Sequence, residues 1–260
     1  MSIAGGPPTE RPSGSGIGGT RRSRAVAAAL VAAARRGTVV EKEIVGLADL
    51  VGPGDVCLDI GAEFGLYTHV LADLVGPRGV VHAFEPQQGA HRALELGVRA
   101  AGLSWVHLHR LALGGAPGTA ELSVPRRRGL PVHGRAYVTA GARDAGPNRE
   151  FAGHRLESVA VETLDAVVAD LVPTRVSFVK ADVEGAEGAL LDGAVGTLAG
   201  HRPHLLLEIE DRHTRKYGVD AADLFARLTG ELGYRAHTWS AGWRPVAGIV
   251  DTERNYLFSP

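Results

Sequence analysis

The run Val56-Cys57-Leu58-Asp59-Ile60-Gly61-Ala62-Glu63-Phe64-Gly65 constrains this chain more than any other. Its apolar part is too short for a helix and ends beside an acid. Two glycines four residues apart follow, which predicts a buried strand turning sharply into a helix. Glycine has no Cβ, so the turn can be tight and a ligand can approach the backbone and the amides at the helix start. In open α/β sheets, ligands bind at this turn.

The spacing is Asp-x-Gly-x-x-x-Gly, whereas dinucleotide sites carry Gly-x-Gly-x-x-Gly. Glu63 stands where such a site has its middle glycine, and its charge repels a pyrophosphate, which counts against a nicotinamide reductase. A cationic ligand fits better. S-adenosylmethionine is one, with its sulfonium, its ammonium and two free ribose hydroxyls. A second strand, Val80 to Pro86, follows the intervening helix and ends at Glu85. In a doubly wound unit a carboxylate there accepts hydrogen bonds from ribose hydroxyls. Asp59 or Glu85 alone would suit an ordinary strand-end turn; the two in strand-helix-strand order favour a nucleoside site.

The 260 residues are enough for one substantial core, and no second core is visible. With 28 basic and 29 acidic residues there is no global drive towards nucleic acid or an anionic membrane. No apolar run approaches the roughly 18 residues of a membrane span, and the N-terminus does not read as a secretory signal. The single cysteine, Cys57, rules out an intramolecular disulfide and a thiol-ligated metal site, and suits a cytoplasmic protein.

Residues 1–22, rich in Gly, Pro and Ser, read as a disordered tail, and 23–260 as the folded domain. Residues 23–51 hold two N-terminal helices, about Ser23 to Arg36 and Glu41 to Leu50. Helices are then expected at Leu66 to Val75, Gln88 to Ala101, through Leu171, Ala186 to Leu198 and Ala221 to Leu232. Strands are expected at Trp105 to Leu111, Gly118 to Val124, Val176 to Ala181, Leu205 to Leu207, Tyr234 to Ser240 and Asn255 to Phe258. Strand alternating with helix predicts a mostly parallel sheet with helices on both faces. Between Pro125 and Arg155 periodicity fails, and this segment reads either as a lid over the substrate, with Arg126, Arg127, Arg128 and His133 facing it, or as a solvated insertion.

The runs VCLDIGAEFGLYTHVLADLVGPRGVVHAFEP, VETLDAVV, VKADVEGAEGALLDGA and HLLLEIE together resemble the FkbM family of S-adenosylmethionine-dependent methyltransferases, over roughly Glu41 to Phe258. Asp-Val-Glu-Gly-Ala-Glu is the most specific part; Glu63-Phe64 departs from the Asn usual between the two glycines. The resemblance implies a seven-stranded class I (Rossmann-like) α/β fold with the last strand antiparallel. It also implies methyl transfer mostly to hydroxyl oxygens of sugars, polyketides and other secondary metabolites. By motif matching, Asp59, Gly61 and Gly65 would hold the methionine end, Glu85 the ribose, and Asp182 and Glu184 would lie beside the methyl group. Glu63, Tyr67 and Pro86 complete the expected cofactor contacts.

Methyl transfer needs alignment of nucleophile, carbon and sulfur, and an alcohol must also lose a proton to a base or have its pKa lowered by a metal. Two neighbouring strands end in carboxylates, Asp182 with Glu184 and Glu208 with Glu210, which repel unless a cation, a proton or an arginine intervenes. Asp182 and Glu208 are therefore candidates for catalysis or for Mg²⁺, while Glu184 also suits a helix cap and Glu210 an exposed position. His213, three residues past a strand, is a candidate general base; His82, His107 and His109 read as packed or surface residues. Tyr217, Trp239 and Trp243 suit a core role more than a pocket. The expected activity is O-methylation of a small molecule; the rivals are N-methylation and nucleoside binding without catalysis.

Overall fold

A computed structural model describes residues 19–260 except 38, 39, 129, 145–147, 149, 150, 152 and 174. The chain begins with α1 (Arg21–Arg35), a 3-10 helix (Lys42–Asp49), β1 (Val56–Ile60), α2 (Leu66–Val75), β2 (Val80–Phe84), α3 (Gln88–Ala101), β3 (Val106–His109) and β4 (Ala112–Leu113). Then come β5 (Gly118–Arg127), β6 (Leu130–Pro131), β7 (Tyr137–Val138) and β8 (Gly153–Glu162). The second half runs α4 (Leu164–Leu171), β9 (Phe178–Ala181), α5 (Glu187–Asp192), α6 (Val195–His201), β10 (His204–Glu208), α7 (Asp211–Thr214), α8 (Ala221–Ala226), β11 (Arg235–Trp239), β12 (Trp243–Pro245) and β13 (Asn255–Ser259).

The main sheet has the order β12-β11-β13-β10-β9-β1-β2-β3. Strands β10, β9, β1, β2 and β3 pair in parallel, while β13 runs antiparallel to both β10 and β11. It therefore holds eight strands where seven were expected. The extra one, β12, pairs antiparallel with β11 at the edge, and its Trp243 meets Trp239 edge to face over Gly46. A Cβ on Gly46 would lie 2.4 Å from the Trp239 ring. The two tryptophans are only partly buried and pack at the edge of the core, and Tyr217, which was expected in a core role with them, lines a cavity.

Both faces of the central strands are covered, which is why they read as apolar runs without alternation. Cys57, Val81, Ala83 and Phe178 pack on one side with Leu47, Val70, Leu71 and Leu94. Leu58, Ile60, Phe84 and Val179 pack on the other with Leu164, Leu190, Leu224 and Phe225.

Three segments differ from expectation. Residues 1–18 of the expected tail lie outside the described residues, and α1 starts at Arg21, because Thr20 caps it by accepting from the Ser23 amide at 3.1 Å. The helix expected from Ala186 to Leu198 is broken at Gly193, where a Cβ would sit 2.1 Å from the Gly114 carbonyl; Asp165 caps the restart through the Gly196 and Thr197 amides. The third difference is the largest. Several described stretches of residues 125–155 belong to a second sheet, built on a long antiparallel ladder of β5 with β8, from Gly118↔Val161 to Arg126↔Gly153. Its core is small, Ala112, Leu122, Val124, Ala136 and Val159, and arginines occupy its exposed end, so no long periodic pattern marks it in the sequence.

Candidate active site

Strands β1, β2, β9 and β10 point their carboxyl ends to one edge, and the turns there make the site. After β1 the amides of Gly61 and Ala62 donate to the Phe84 carbonyl at 2.9 and 3.0 Å, and Gly65 donates to Ala62 at 2.7 Å. Gly61 (φ 78°) and Gly65 (φ 86°) both occupy left-handed backbone. The glycines have a packing role beside the expected one. A Cβ on Gly61 would lie 1.9 Å from the Asp182 carbonyl and one on Gly65 2.4 Å from Leu94, so they let the turns of β1 and β9 and helix α3 close on one another.

A cavity lies over this edge. Its floor and walls are Ile60, Gly61, Glu63, Glu85, Pro86, Gln87, Leu111–Leu113 and Asp182–Glu184; its roof is His133, Gly134 and Ala136–Val138. Of the residues expected to hold a cofactor, Gly61, Glu63, Glu85, Pro86, Asp182 and Glu184 line it. Asp59, Gly65 and Tyr67 stand behind the wall. Asp59 is buried and accepts from Thr68 Oγ1 at 2.5 Å, and Tyr67 Oη donates to Glu41 Oε2 at 2.5 Å. Glu208 and His213 do not reach the cavity either. His213 is buried behind Glu184, its Nδ1 2.8 Å from Glu184 Oε2 without the alignment of a hydrogen bond.

Glu85 accepts from the Gln87 amide at 2.7 Å on one oxygen and from the Glu63 amide at 2.9 Å on the other. Burial nevertheless raises its pKa to about 7, against these two bonds. Glu63 is also raised, first by burial and then by Asp182 and Glu184. Three carboxyl groups thus converge on one end of the cavity, Glu63, Asp182 and Glu184, which is a field that a cation relieves.

The repulsion expected among the strand-end acids is settled by a lysine, a proton and two arginines. Lys180, paired across the sheet with Asp59, is buried with Nζ 3.9 Å from Asp182 Oδ2 and 3.4 Å from Asn255 Oδ1. Burial works against its charge, but Asp182, Glu41, Glu208 and Asp59 outweigh it and raise its pKa. Glu208 is raised strongly, by burial and then by Asp182, with which it hydrogen-bonds, so it keeps its proton at neutral pH. Glu210 is held down to about 2: burial opposes its charge, but Arg212 and then Glu208 hydrogen-bond it, and Arg254 Nε lies 3.3 Å away. Among the described residues no three His, Cys, Asp or Glu side chains are arranged to hold a metal ion. Asp182 and Glu208, expected as Mg²⁺ ligands, share a lysine and a proton, and do not fit that role.

Sequence reasoning missed Lys180, Gln87 and the apolar wall Leu111–Leu113. A lysine inside an apolar strand, next to the strand that carries Asp59, was the available signal for the first. His133 falls in the segment that reads either as a lid or as a solvated insertion. It does cover the cavity, bound to Gln87 by Nδ1···Oε1 at 2.8 Å and by Gln87 Nε2 to its carbonyl at 3.1 Å.

The fold is an open, doubly wound α/β one with a cavity at the carboxyl ends of its central strands. A family model described as "Methyltransferase FkbM domain" matches residues 59–236, more than half of the chain, and the chain belongs to that family. No curated protein matches it. It is similar to many solved structures, three of which follow. One is methyltransferase FkbM from Methylobacillus flagellatus, 16% identical with a TM-score of 0.47 over 91% of this chain and 58% of that one. Another is an S-adenosylmethionine-dependent O-methyltransferase from Thermotoga maritima, 17% identical with a TM-score of 0.45 over 85% and 64%. The third is fibrillarin from Aeropyrum pernix with natively bound S-adenosylmethionine, 13% identical with a TM-score of 0.41 over 80% and 67%. The chain thus spans less than two thirds of the first two. No helix among the described residues is long and apolar enough to cross a membrane.

Proposed function

We propose that this chain is an S-adenosylmethionine-dependent methyltransferase acting on a hydroxyl oxygen of a small molecule. The observation that carries this is the convergence of Glu63, Asp182 and Glu184 at one end of the cavity, with Glu85 farther along the same strand edge. Such a site suits a ligand with a sulfonium and an ammonium at one end and ribose hydroxyls at the other. When bound, the cofactor supplies an electrophilic methyl group.

The remaining work belongs to the chain. Glu85 has two oxygens fixed by backbone amides and further lone pairs for ribose hydroxyls. The Leu111–Leu113 wall offers an apolar face to a flat base. We assign to Asp182 the proton of the acceptor hydroxyl, since it is the carboxylate directly after β9 that lines the cavity, with its position fixed by the Lys180 ammonium 3.9 Å away. The free volume of the cavity is about 90 Å³. This is well below the roughly 300 Å³ at the lower end of small-molecule sites, so the roof has to lift for a ligand to enter.

In the same reading the protein works in the cytoplasm on small molecules such as secondary metabolites, not on nucleic acid or at a membrane, in keeping with its balanced charge. Calorimetric titration with S-adenosylmethionine and with NAD tests the cofactor. Incubation with methyl-labelled cofactor and a metabolite panel, followed by product analysis, tests the reaction. Saturable binding of the first cofactor alone, and label on an ether oxygen, are the expected results; label on nitrogen, or none, overturns O-methylation.

A further inference from the structure

We infer that the acceptor is held by an apolar body in a second cavity adjoining the first; this rests on the methyltransferase reading above. The second cavity has a volume of about 470 Å³, inside the range of roughly 300–1,000 Å³ found for small-molecule sites. It shares a wall with the first, since Ala112, Leu113, Val138 and Ala186 line both. The roof is shared too: Tyr217 Oη donates to the Val138 carbonyl at 2.6 Å, which ties β7 down over the boundary between them.

The lining chemistry selects the occupant. Gly188 of α5 and Leu224 of α8 are buried in it, and among the described residues its only charged lining residues are Asp192, Asp223 and Arg227. Asp192 and Asp223 are exposed and Arg227 pairs with Asp192 at 2.7 Å, so the charges mark the mouth. A free sugar would bury hydroxyls here without partners, at a cost for each one. An apolar ring or chain with its hydroxyl at the shared wall, towards Asp182, fits instead.

Gly188 supplies an independent sign that the space is kept open. A Cβ there would meet Leu224 and Val219 at 3.6 Å, an ordinary contact, and the position is helical, so neither sterics nor backbone requires glycine. A glycine inside a helix costs up to about 1 kcal/mol relative to alanine. Here it leaves room in the cavity.

Naphthol serves as the apolar hydroxyl probe and glucose as the polar one, titrated calorimetrically into the whole chain with and without S-adenosylhomocysteine. Naphthol is expected to bind saturably in both conditions and glucose not at all. Gly188→Leu, which fills the cavity, is expected to weaken naphthol by about tenfold or more while the affinity for S-adenosylhomocysteine stays within about twofold. Ala189→Phe at the exposed mouth is the second variant, should the leucine impair folding, and is expected to do the same. Naphthol binding that both variants retain, or that S-adenosylhomocysteine abolishes, overturns the acceptor assignment alone. Failure of the wild type to bind S-adenosylhomocysteine overturns the methyltransferase reading and the acceptor assignment with it.

Discussion

Glu85 accepts backbone amides on both oxygens, and this changes what its replacement measures. Glu85→Ala orphans two amides beside the cavity at about 1–3 kcal/mol each, so a lower melting temperature is expected together with weaker cofactor binding. Glu85→Gln keeps one acceptor and is the cleaner probe; a loss of roughly ten- to a hundredfold in calorimetric cofactor affinity is expected, with a smaller loss of stability than Glu85→Ala because one amide is orphaned instead of two. Asp182→Asn is expected to lower turnover by about a hundredfold or more, measured by methyl transfer to an apolar alcohol. It also removes the carboxylate that helps Glu208 keep its proton. Lys180 is the residue the others depend on. Replacing it by Met leaves Asp59 and Asp182 without their buried cation, and losing one partner of a buried pair costs about 3–5 kcal/mol. A fall in melting temperature of at least several degrees is expected, and a variant that melts like the wild type would show that Lys180 does not compensate these acids.

At the scale of elements, the turn after β1 was legible because a short apolar run, an acid and two glycines leave few alternatives. The reason for the glycines was not, since a gap filled by the Asp182 carbonyl depends on a strand more than a hundred residues away. Gly61→Ala joins that clash to a φ of 78°, and a loss of about 3 kcal/mol or more is expected in denaturant unfolding. Helix α3 was read with both its ends, because Gly102 closes it in left-handed backbone. The β5–β8 ladder was half missed, since a sheet burying five small or medium side chains prints too little apolar sequence to show its period. The roof is held by the two Gln87–His133 hydrogen bonds and by Phe64 edge-on to the His133 ring at 5.4 Å. Gln87→Ala removes both bonds, and stopped-flow binding is expected to show faster cofactor association and dissociation.

For the molecule as a whole, buried titratable groups set how stability follows pH, and they pull in opposite directions. Burial raises Glu43, Glu85 and Glu187 from 4.5 to about 7 and Asp59 from 3.8 to about 6. These groups hold protons more tightly folded than unfolded, so their contribution is complete below about pH 4 and is lost as pH rises through 6 to 7. His82 is lowered from 6.5 to about 4, by burial and then by His109 and His107, which share its face of β2 and β3. Its neutral form stabilises the fold fully above about pH 6.5, and that contribution is lost as pH falls towards 4. His69, His91 and His109 move in the same direction as His82. The large displacements are mostly carboxyl ones, so the acids dominate on the alkaline side and the histidines only limit the acid side. The unliganded chain is therefore expected to melt highest near pH 5–6 and to lose stability towards pH 8, as read by scanning calorimetry at constant ionic strength. Glu43→Gln, which lies away from the cavity, is expected to flatten the alkaline limb by removing one of these titrations. A melting temperature that climbs steadily from pH 5 to 8 would mean that the buried carboxyl groups give up their protons as readily folded as unfolded.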